Sequence, residues 1–268
     1  MPEGHTIHRL ARDHQKQFGG APVHVTSPQG RFSTGAELVD GMTLRGAEAY
    51  GKHLLHRYGP DTVVHVHLGL YGKFTSHTGE VAEPRGQVRM RMVGTDHWAD
   101  LRGATACEVW TAHEVDTLLD RLGPDPLRKD ADPERAWARI SRSKVTVGAL
   151  LMDQKVLAGV GNVYRAEVLF RHGIGPHRSG RDLDRAEWDA VWLDLVELMK
   201  VGVRRGRIVT IRPEHDHGDL PVRRGRVGGP RSYVYRRAGL PCRTCGTPVL
   251  TEEMVGRNLF WCPTCQPD

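Results

Sequence analysis

The 268-residue sequence has few cysteines, five in all, and no apolar run near the roughly 18 residues that a membrane-spanning helix requires. Cys107 stands alone and the other four crowd beyond residue 240, so the evenly spread disulfide frame of a small secreted domain is excluded. The N-terminus lacks a basic segment followed by an apolar core, which predicts a cytoplasmic protein with no membrane partner. Acidic residues thin out where basic ones are dense: between Lys200 and Arg237 eleven Lys and Arg face only Glu214, Asp216 and Asp219. That imbalance, within a net charge of +6, points to a polyanion as partner. The length suffices for a core without staples or oligomerisation, and a monomer is expected.

Ile7, Leu10, Ala11 and Phe18 follow helical spacing, so a helix begins within a few residues of the N-terminus and holds it in place. From there to about Trp110 the pattern alternates, as in Val64-His65-Val66-His67-Leu68 and Val88-Arg89-Met90-Arg91-Met92, which reads as an antiparallel β-domain. Thr111 and Glu114 form a capping box for the next helix, which Gly123-Pro124 ends. The polar stretch Lys129 to Asp132 marks the expected boundary, and Asp132-Pro133 opens a further helix. A short apolar helix is expected from Thr146 to about Lys155, then a glycine turn before a helix over Val163 to Arg171. Asp184 and Glu187 cap a long helix whose Trp188, Val191, Trp192, Leu195, Leu198 and Met199 share one buried face. Residues 206 to 232 read as a loop that orders on binding. Cys107 reads as a half-buried strand thiol, and His65 and His67, on one strand face, as structural or DNA-proximal rather than metal-ligating.

Cys242-x2-Cys245, sixteen residues, then Cys262-x2-Cys265 places two thiolates on each of two tight turns. Together they make a tetrahedral sulfur cage suited to one structural Zn²⁺, ahead of disulfides or an iron-sulfur centre. Apolar residues on either side predict two strands, hence a zinc hairpin, with Arg257 near its far end as a candidate phosphate contact. At the other end of the chain, removal of Met1 exposes the secondary amine of Pro2, a candidate nucleophile with Glu3 beside it to move protons.

With these features in order, the chain resembles the formamidopyrimidine-DNA glycosylase and endonuclease VIII family along almost its whole length. The resemblance rests on Pro2-Glu3-Gly4, Gly51-Lys52-His53, His67-Leu68-Gly69-Leu70-Tyr71-Gly72 and Leu122-Gly123-Pro124-Asp125-Pro126-Leu127. It continues through Ala158-Gly159-Val160-Gly161-Asn162-Val163-Tyr164, Gly256-Arg257 and Phe260-Trp261-Cys262-Pro263-Thr264-Cys265-Gln266. The implied fold is α+β: an N-terminal antiparallel β-sandwich with a terminal helix (1–128), a helix-two-turn-helix domain with the lesion-loop region (129–235) and a four-cysteine zinc-finger β-hairpin (236–268). The implied partner is damaged DNA, and with it an association with the nucleoid. The implied roles are Pro2 as nucleophile, Glu3 as general acid and base, Lys52 as a DNA-backbone contact that assists catalysis, and Asn162 and Arg257 as grips on the phosphates flanking a flipped nucleotide or abasic site.

Leu70-Tyr71-Gly72, and the passage of Asp100-Leu101-Arg102-Gly103 without an aromatic, resemble the endonuclease VIII branch, in particular the second endonuclease VIII of actinobacteria. There Leu70 and Tyr71 replace the stacking of the lost base. That branch implies a bifunctional glycosylase and AP lyase for oxidised pyrimidines, acting through a Pro2 Schiff base and β,δ-elimination. Gly69 stands where the branch's best-known member has a glutamine, which predicts one wedge contact fewer. A formamidopyrimidine-type enzyme for oxidised purines, a catalytically weak damaged-DNA-binding protein, and a small-molecule enzyme using an N-terminal proline as base are the alternatives. Zinc hairpin and basic stretch are superfluous in the last.

Overall fold

The computed structural model describes residues 2–215 and 232–267. The chain divides into two compact units, Met1–Leu122 and Gly123–Asp268. In the first, α1 (Gly4–Phe18) is followed by β1 (His24–Thr26), α2 (Ser33–Val39), β2 (Gly46–Tyr50), β3 (His53–Gly59), β4 (Thr62–His67), β5 (Lys73–Thr78), β6 (Val88–Val93), β7 (His97–Arg102), β8 (Ala106–Trp110) and α3 (Ala112–Arg121). Two four-stranded antiparallel sheets form, in the orders β1-β6-β7-β5 and β2-β3-β4-β8. One apolar cluster draws on both, with Leu54, Val64 and Val66 from one sheet, Met90, Met92, Ala99 and Leu101 from the other, and Ile7, Ala11 and Phe18 from α1. This is the expected sandwich with its terminal helix.

The alternation in β4 does not produce a wet face, because α3 covers that side of the sheet. Val115 packs on Leu55 and Val63, with Trp110 and Leu119 around them, so Val63, Val64, His65 and Val66 are all buried. On the other face of the same sheet, packing against the second sheet places Cys107, 4.0 Å from Met90 Sδ, fully within the sandwich core instead of half-exposed on its strand. The capping box at α3 forms as expected, with Thr111 accepting from the Glu114 amide and Glu114 reaching back to Thr111. The short helix α2 carried too few turns to show a period in the sequence.

Two histidine pairs lie inside this unit, the first wholly buried and the second partly so. His14 Nδ1 meets His56 Nε2 at 3.0 Å inside the sandwich, with Phe74 edge-on to His14. His53 Nδ1 meets His65 Nε2 at 2.9 Å on the face beneath α3, and His65 stacks on Trp110. Burial is the main reason that His14 and His65 titrate at about 4 and His53 at about 3, with neighbouring histidines adding to the effect for His65 and His53. In the unfolded chain a histidine takes up its proton below about pH 6.5. The unfolded state therefore binds more protons between the two values, and stability that is complete above pH 6.5 is lost as the pH falls toward 4. The loss is about 1.4 kcal/mol per pH unit for each histidine concerned. The melting midpoint is expected to drop steeply from pH 6.5 to 4.5, and a midpoint that stays level over that span refutes the buried-neutral assignment.

The second unit holds α4 (Pro133–Ile140), α5 (Val147–Leu150), α6 (Asn162–Arg171), α7 (Arg185–Arg205) and the hairpin of β9 (Leu250–Met254) and β10 (Arg257–Trp261). Asp132 caps α4, and Asp184 with Glu187 forms a complete capping box on α7. The six apolar residues expected on one face of α7 are all buried, in a cluster shared with Ile140, Leu157, Tyr164 and Leu169. α5 is shorter than the sequence suggested: it ends at Leu150 and the chain turns through Met152 to Lys155. Asp153 accepts from Lys155 N there, capping a turn in place of a further helical residue.

Within α6, the carboxylate of Glu167 is wholly buried and accepts from the backbone amides of Tyr233, Val234 and Tyr235 at 2.7, 2.9 and 2.9 Å. Thr210 Oγ1 also donates to it. One side chain thus ties both flanks of the basic stretch to the helix. Residues 216–231 of that stretch, with Asp216, His217 and Asp219, lie outside the described residues, as does most of the expected lesion loop. Among the described residues no helix is long and apolar enough to cross a membrane.

Candidate active site and metal centre

Three stretches of the first unit arrive at one of its ends. Gly20 N donates to Leu44 O at 2.8 Å, Ala47 N to Gln15 Oε1 at 2.8 Å, and His14 pairs with His56, which lies opposite Ala47. Rising residue numbers on β2 thus meet falling numbers on α1, so the two run antiparallel. From Gln15 back to Pro2 is about 20 Å of helix, and from Ala47 on to Lys52 about 17 Å of strand. Pro2 and Lys52 therefore share an end of the unit. His53 pairs with His67 across β3 and β4, which brings the loop that follows His67, carrying Leu70 and Tyr71, to the same end.

Each stretch has a local reason for its shape. Pro2 lies outside α1, so its missing N–H leaves no helical bond unmade. Glu3 is the N-cap of α1 in extended conformation; its carbonyl accepts from Thr6 N at 2.8 Å, its side chain makes no capping bond, and it is fully buried. The positive end of the helix dipole lies against this position. Lys52 sits in a tight turn between β2 and β3. Gly51 and Lys52 link Tyr50 to His53, and Gly51 takes φ +57°, as the first position of a type II′ hairpin turn demands. Burial chiefly, and then the charge of Lys52, holds His67 below its ordinary value; Lys52 likewise adds to the lowering of His53.

The loop 68–72 is closed by Gly72 N donating to Leu68 O at 3.0 Å. Leu70 is 39% and Tyr71 85% exposed, so the two candidate wedge side chains stand in solvent. Gly69 is what lets the loop seat. Its φ is +66°, and a Cβ there would lie 1.9 Å from Thr105 Oγ1, on the turn between β7 and β8. Thr105 N in turn donates to His67 O. Gly69→Gln is therefore expected to cost about 2 kcal/mol or more from the left-handed backbone alone and to displace Leu70 and Tyr71. A variant with unchanged melting midpoint and unchanged DNA affinity counts against this account. In that same turn region Arg102 is occupied within the protein, donating to Asp100 Oδ2 at 2.8 Å and to the Arg85 carbonyl.

In the second unit the four cysteines converge, with all sulfurs within 4.8 Å of one another. Sγ of Cys242 and Cys265 are 3.9 Å apart and those of Cys245 and Cys262 3.4 Å, beside about 3.8 Å for a tetrahedron with Zn–S bonds near 2.3 Å. None of the five cysteines is in a disulfide. The donor set suits one Zn²⁺ and leaves no open position for a reacting water, so the centre is structural. Strand pairing begins at Leu250 opposite Trp261. Asn162, the first residue of α6, donates from Nδ2 to Asn258 O at 2.9 Å, and the Arg165 guanidinium donates to its Oδ1. Asn162 is thus bonded to the residue next to Arg257, and the expected phosphate-gripping pair is brought together. Glu167 escaped the sequence reading; the available signal was a lone carboxylate in the apolar run Ala166 to Phe170.

Family models match three stretches: the formamidopyrimidine-DNA glycosylase N-terminal domain over residues 1–107, its H2TH domain over 122–213, and the zinc finger found in FPG and IleRS over 239–267. Endonuclease 8 1 of Mycobacterium tuberculosis is 59% identical over 273 residues, covering 99% of this chain and 100% of that one. Its number is the first, not the second that the sequence suggested. Formamidopyrimidine-DNA glycosylase of Prochlorococcus marinus is 33% identical, with 99% of each chain covered. The fold matches Lactococcus lactis formamidopyrimidine-DNA glycosylase, solved with DNA containing an abasic (AP) site, at a TM-score of 0.80 and 22% identity over 99% of this chain and 100% of that one. Motifs, fold and full-length similarity agree, and the chain belongs to the formamidopyrimidine-DNA glycosylase and endonuclease VIII family, whose members are DNA glycosylases with AP lyase activity.

Proposed function

We propose that the protein removes oxidised pyrimidines from DNA and cuts the strand at the resulting site, with Pro2 as the nucleophile. The observation that carries the reading is the shared end of the first unit, where the N-terminus of α1, the Lys52 turn and the Leu70-Tyr71 loop arrive together. Once Met1 is removed, the Pro2 nitrogen attacks C1′ of an extruded nucleotide, the base leaves with the bonding electrons, and the nitrogen loses its proton. The C1′–O4′ bond then breaks with a proton delivered to O4′, so the sugar ring opens and an iminium forms. Having no second N–H to lose, that nitrogen keeps its positive charge and accepts electrons as a C2′ proton departs and the 3′ C–O bond breaks. Glu3 moves protons on the opening sugar, and Lys52 holds the adjoining backbone. Leu70 and Tyr71 fill the vacated stack. Asn162 and Arg257 hold flanking phosphates, and residues 1–128, 129–235 and 236–268 act as catalytic, helix-two-turn-helix and zinc-hairpin parts. Such an enzyme works on the chromosome, at the nucleoid.

The pyrimidine preference is supported by Leu70-Tyr71 and by the 59% identity to a protein named Endonuclease 8 1. The test is borohydride trapping on duplexes carrying 5-hydroxyuracil, 8-oxoguanine or an abasic site, followed by peptide mapping. A cross-link at Pro2, strongest with 5-hydroxyuracil, is expected. A stronger 8-oxoguanine signal favours the purine branch, and tight binding without any cross-link leaves a damaged-DNA-binding protein.

A further inference from the structure

The tip of the zinc hairpin departs from the chemistry its own turn favours. β9 and β10 are joined by two residues, Val255 and Gly256, with φ +55° and +65°. Two-residue turns with both φ values positive favour asparagine or aspartate before the glycine. A β-branched residue crowds its own backbone there and is an outlier. Packing within the protein does not compensate, because the Val255 side chain is 64% exposed.

The flanks of the turn, by contrast, are anchored. Just before it, Met254 Sδ lies 3.8 Å from Thr146 Oγ1, and so close to Gly148 that a Cβ there would be 2.9 Å away. Just after it, Asn258 O accepts from Asn162. Glu252, further down β9, meets His177 Nε2 at 2.6 Å. The protein thus holds a strained isopropyl group in solvent at a fixed place, two residues from Arg257. Backbone strain kept in place by rigid surroundings is characteristic of contact sites.

We infer that Val255 is an apolar DNA contact, packing on the deoxyribose next to the phosphate that Arg257 grips. This rests on the DNA-binding role of Arg257 given above. Beside a backbone phosphate the apolar surface on offer is its own sugar, and a branched aliphatic group fits it. Such a contact excludes water without displacing counterions, so its share of the affinity is independent of salt.

The experiment compares wild type, Val255→Gly, Val255→Asn and Arg257→Ala on a duplex with a tetrahydrofuran abasic-site analogue, measuring Kd over a series of salt concentrations and the melting midpoint. Val255→Gly relieves the strain and is expected to raise the midpoint by about 2–4 °C. It is also expected to weaken binding about five-fold at every salt concentration, with the slope of log K against log salt unchanged. Val255→Asn, which tolerates the backbone but is polar, weakens binding likewise. Arg257→Ala lowers the slope by about one. A Val255→Gly protein that binds as tightly as wild type overturns the inference while leaving the role of Arg257 intact. An unchanged slope for Arg257→Ala overturns the phosphate grip, and failure of the wild type to bind overturns both.

Discussion

Pro2→Gly is expected to reduce strand cutting at an abasic site by about 100-fold or more while leaving duplex affinity within about three-fold of wild type, a split typical of an interaction made only in the transition state. Glycine also presents an amine after Met1 is removed, but a primary one, whose imine can shed its proton and with it the charge that draws electrons. It also frees the torsion that the proline ring locks, so the nitrogen is no longer held in line with C1′. The fold offers no competing explanation for a loss. Residue 2 precedes the extended N-cap Glu3 and contributes no helical hydrogen bond, so α1 and its burial of Ile7, Ala11 and Phe18 survive the change. Mass spectrometry of the N-terminus checks that Met1 is absent from both proteins. Equal cutting rates in gel assays reject Pro2 as the nucleophile.

Cys262→Ser is expected to lose the zinc and abolish incision. Metal binding is folding free energy at such centres, about 10–16 kcal/mol for small zinc folds near neutral pH, and the apolar cluster that seats the hairpin on α6 is itself built around Cys242 and Cys262. Cys262 is fully buried; its amide donates to Gln266 Oε1, and Gln266 Nε2 donates to Ile174 O. Losing the sulfur therefore loosens both the hairpin and its attachment behind α6. Asn162 then loses its partner at Asn258, and Arg257 its fixed position. The first unit, with its own core, stays folded. Zinc content by elemental analysis should fall from one per chain to zero, and DNA affinity should fall with it. A variant that keeps both zinc and full incision refutes the structural role of the centre.

Some of this was legible in the sequence because the information is local. A capping box needs only Thr111 and Glu114, or Asp184 and Glu187, three residues apart, and the amphipathic face of α7 needs only its own period. The Cys-x2-Cys pairs specify their turns wherever they fall, and the proline beside a glutamate is readable without a fold. What the sequence could not convey was which surface a second element would cover. Val64 to Leu68 alternate as if half-exposed, yet α3 closes over the outer face of that sheet at Leu55 and Val63, and the second sheet covers the inner face with Cys107.

By itself, then, the sequence determined the family, the metal ligands, the candidate nucleophile and most helix ends, all of which depend on residue type at short spacing. The tertiary structure alone decided that α1 runs antiparallel to β2 and so brings Pro2 and Lys52 to one end of a sandwich. It alone made Gly69 a steric requirement of Thr105, made Glu167 the anchor of two distant segments, and left Val255 strained and exposed between two fixed strands. Each of these depends on contacts between residues far apart in the chain, whose identity is set by how layers pack and not by any pattern along a single segment.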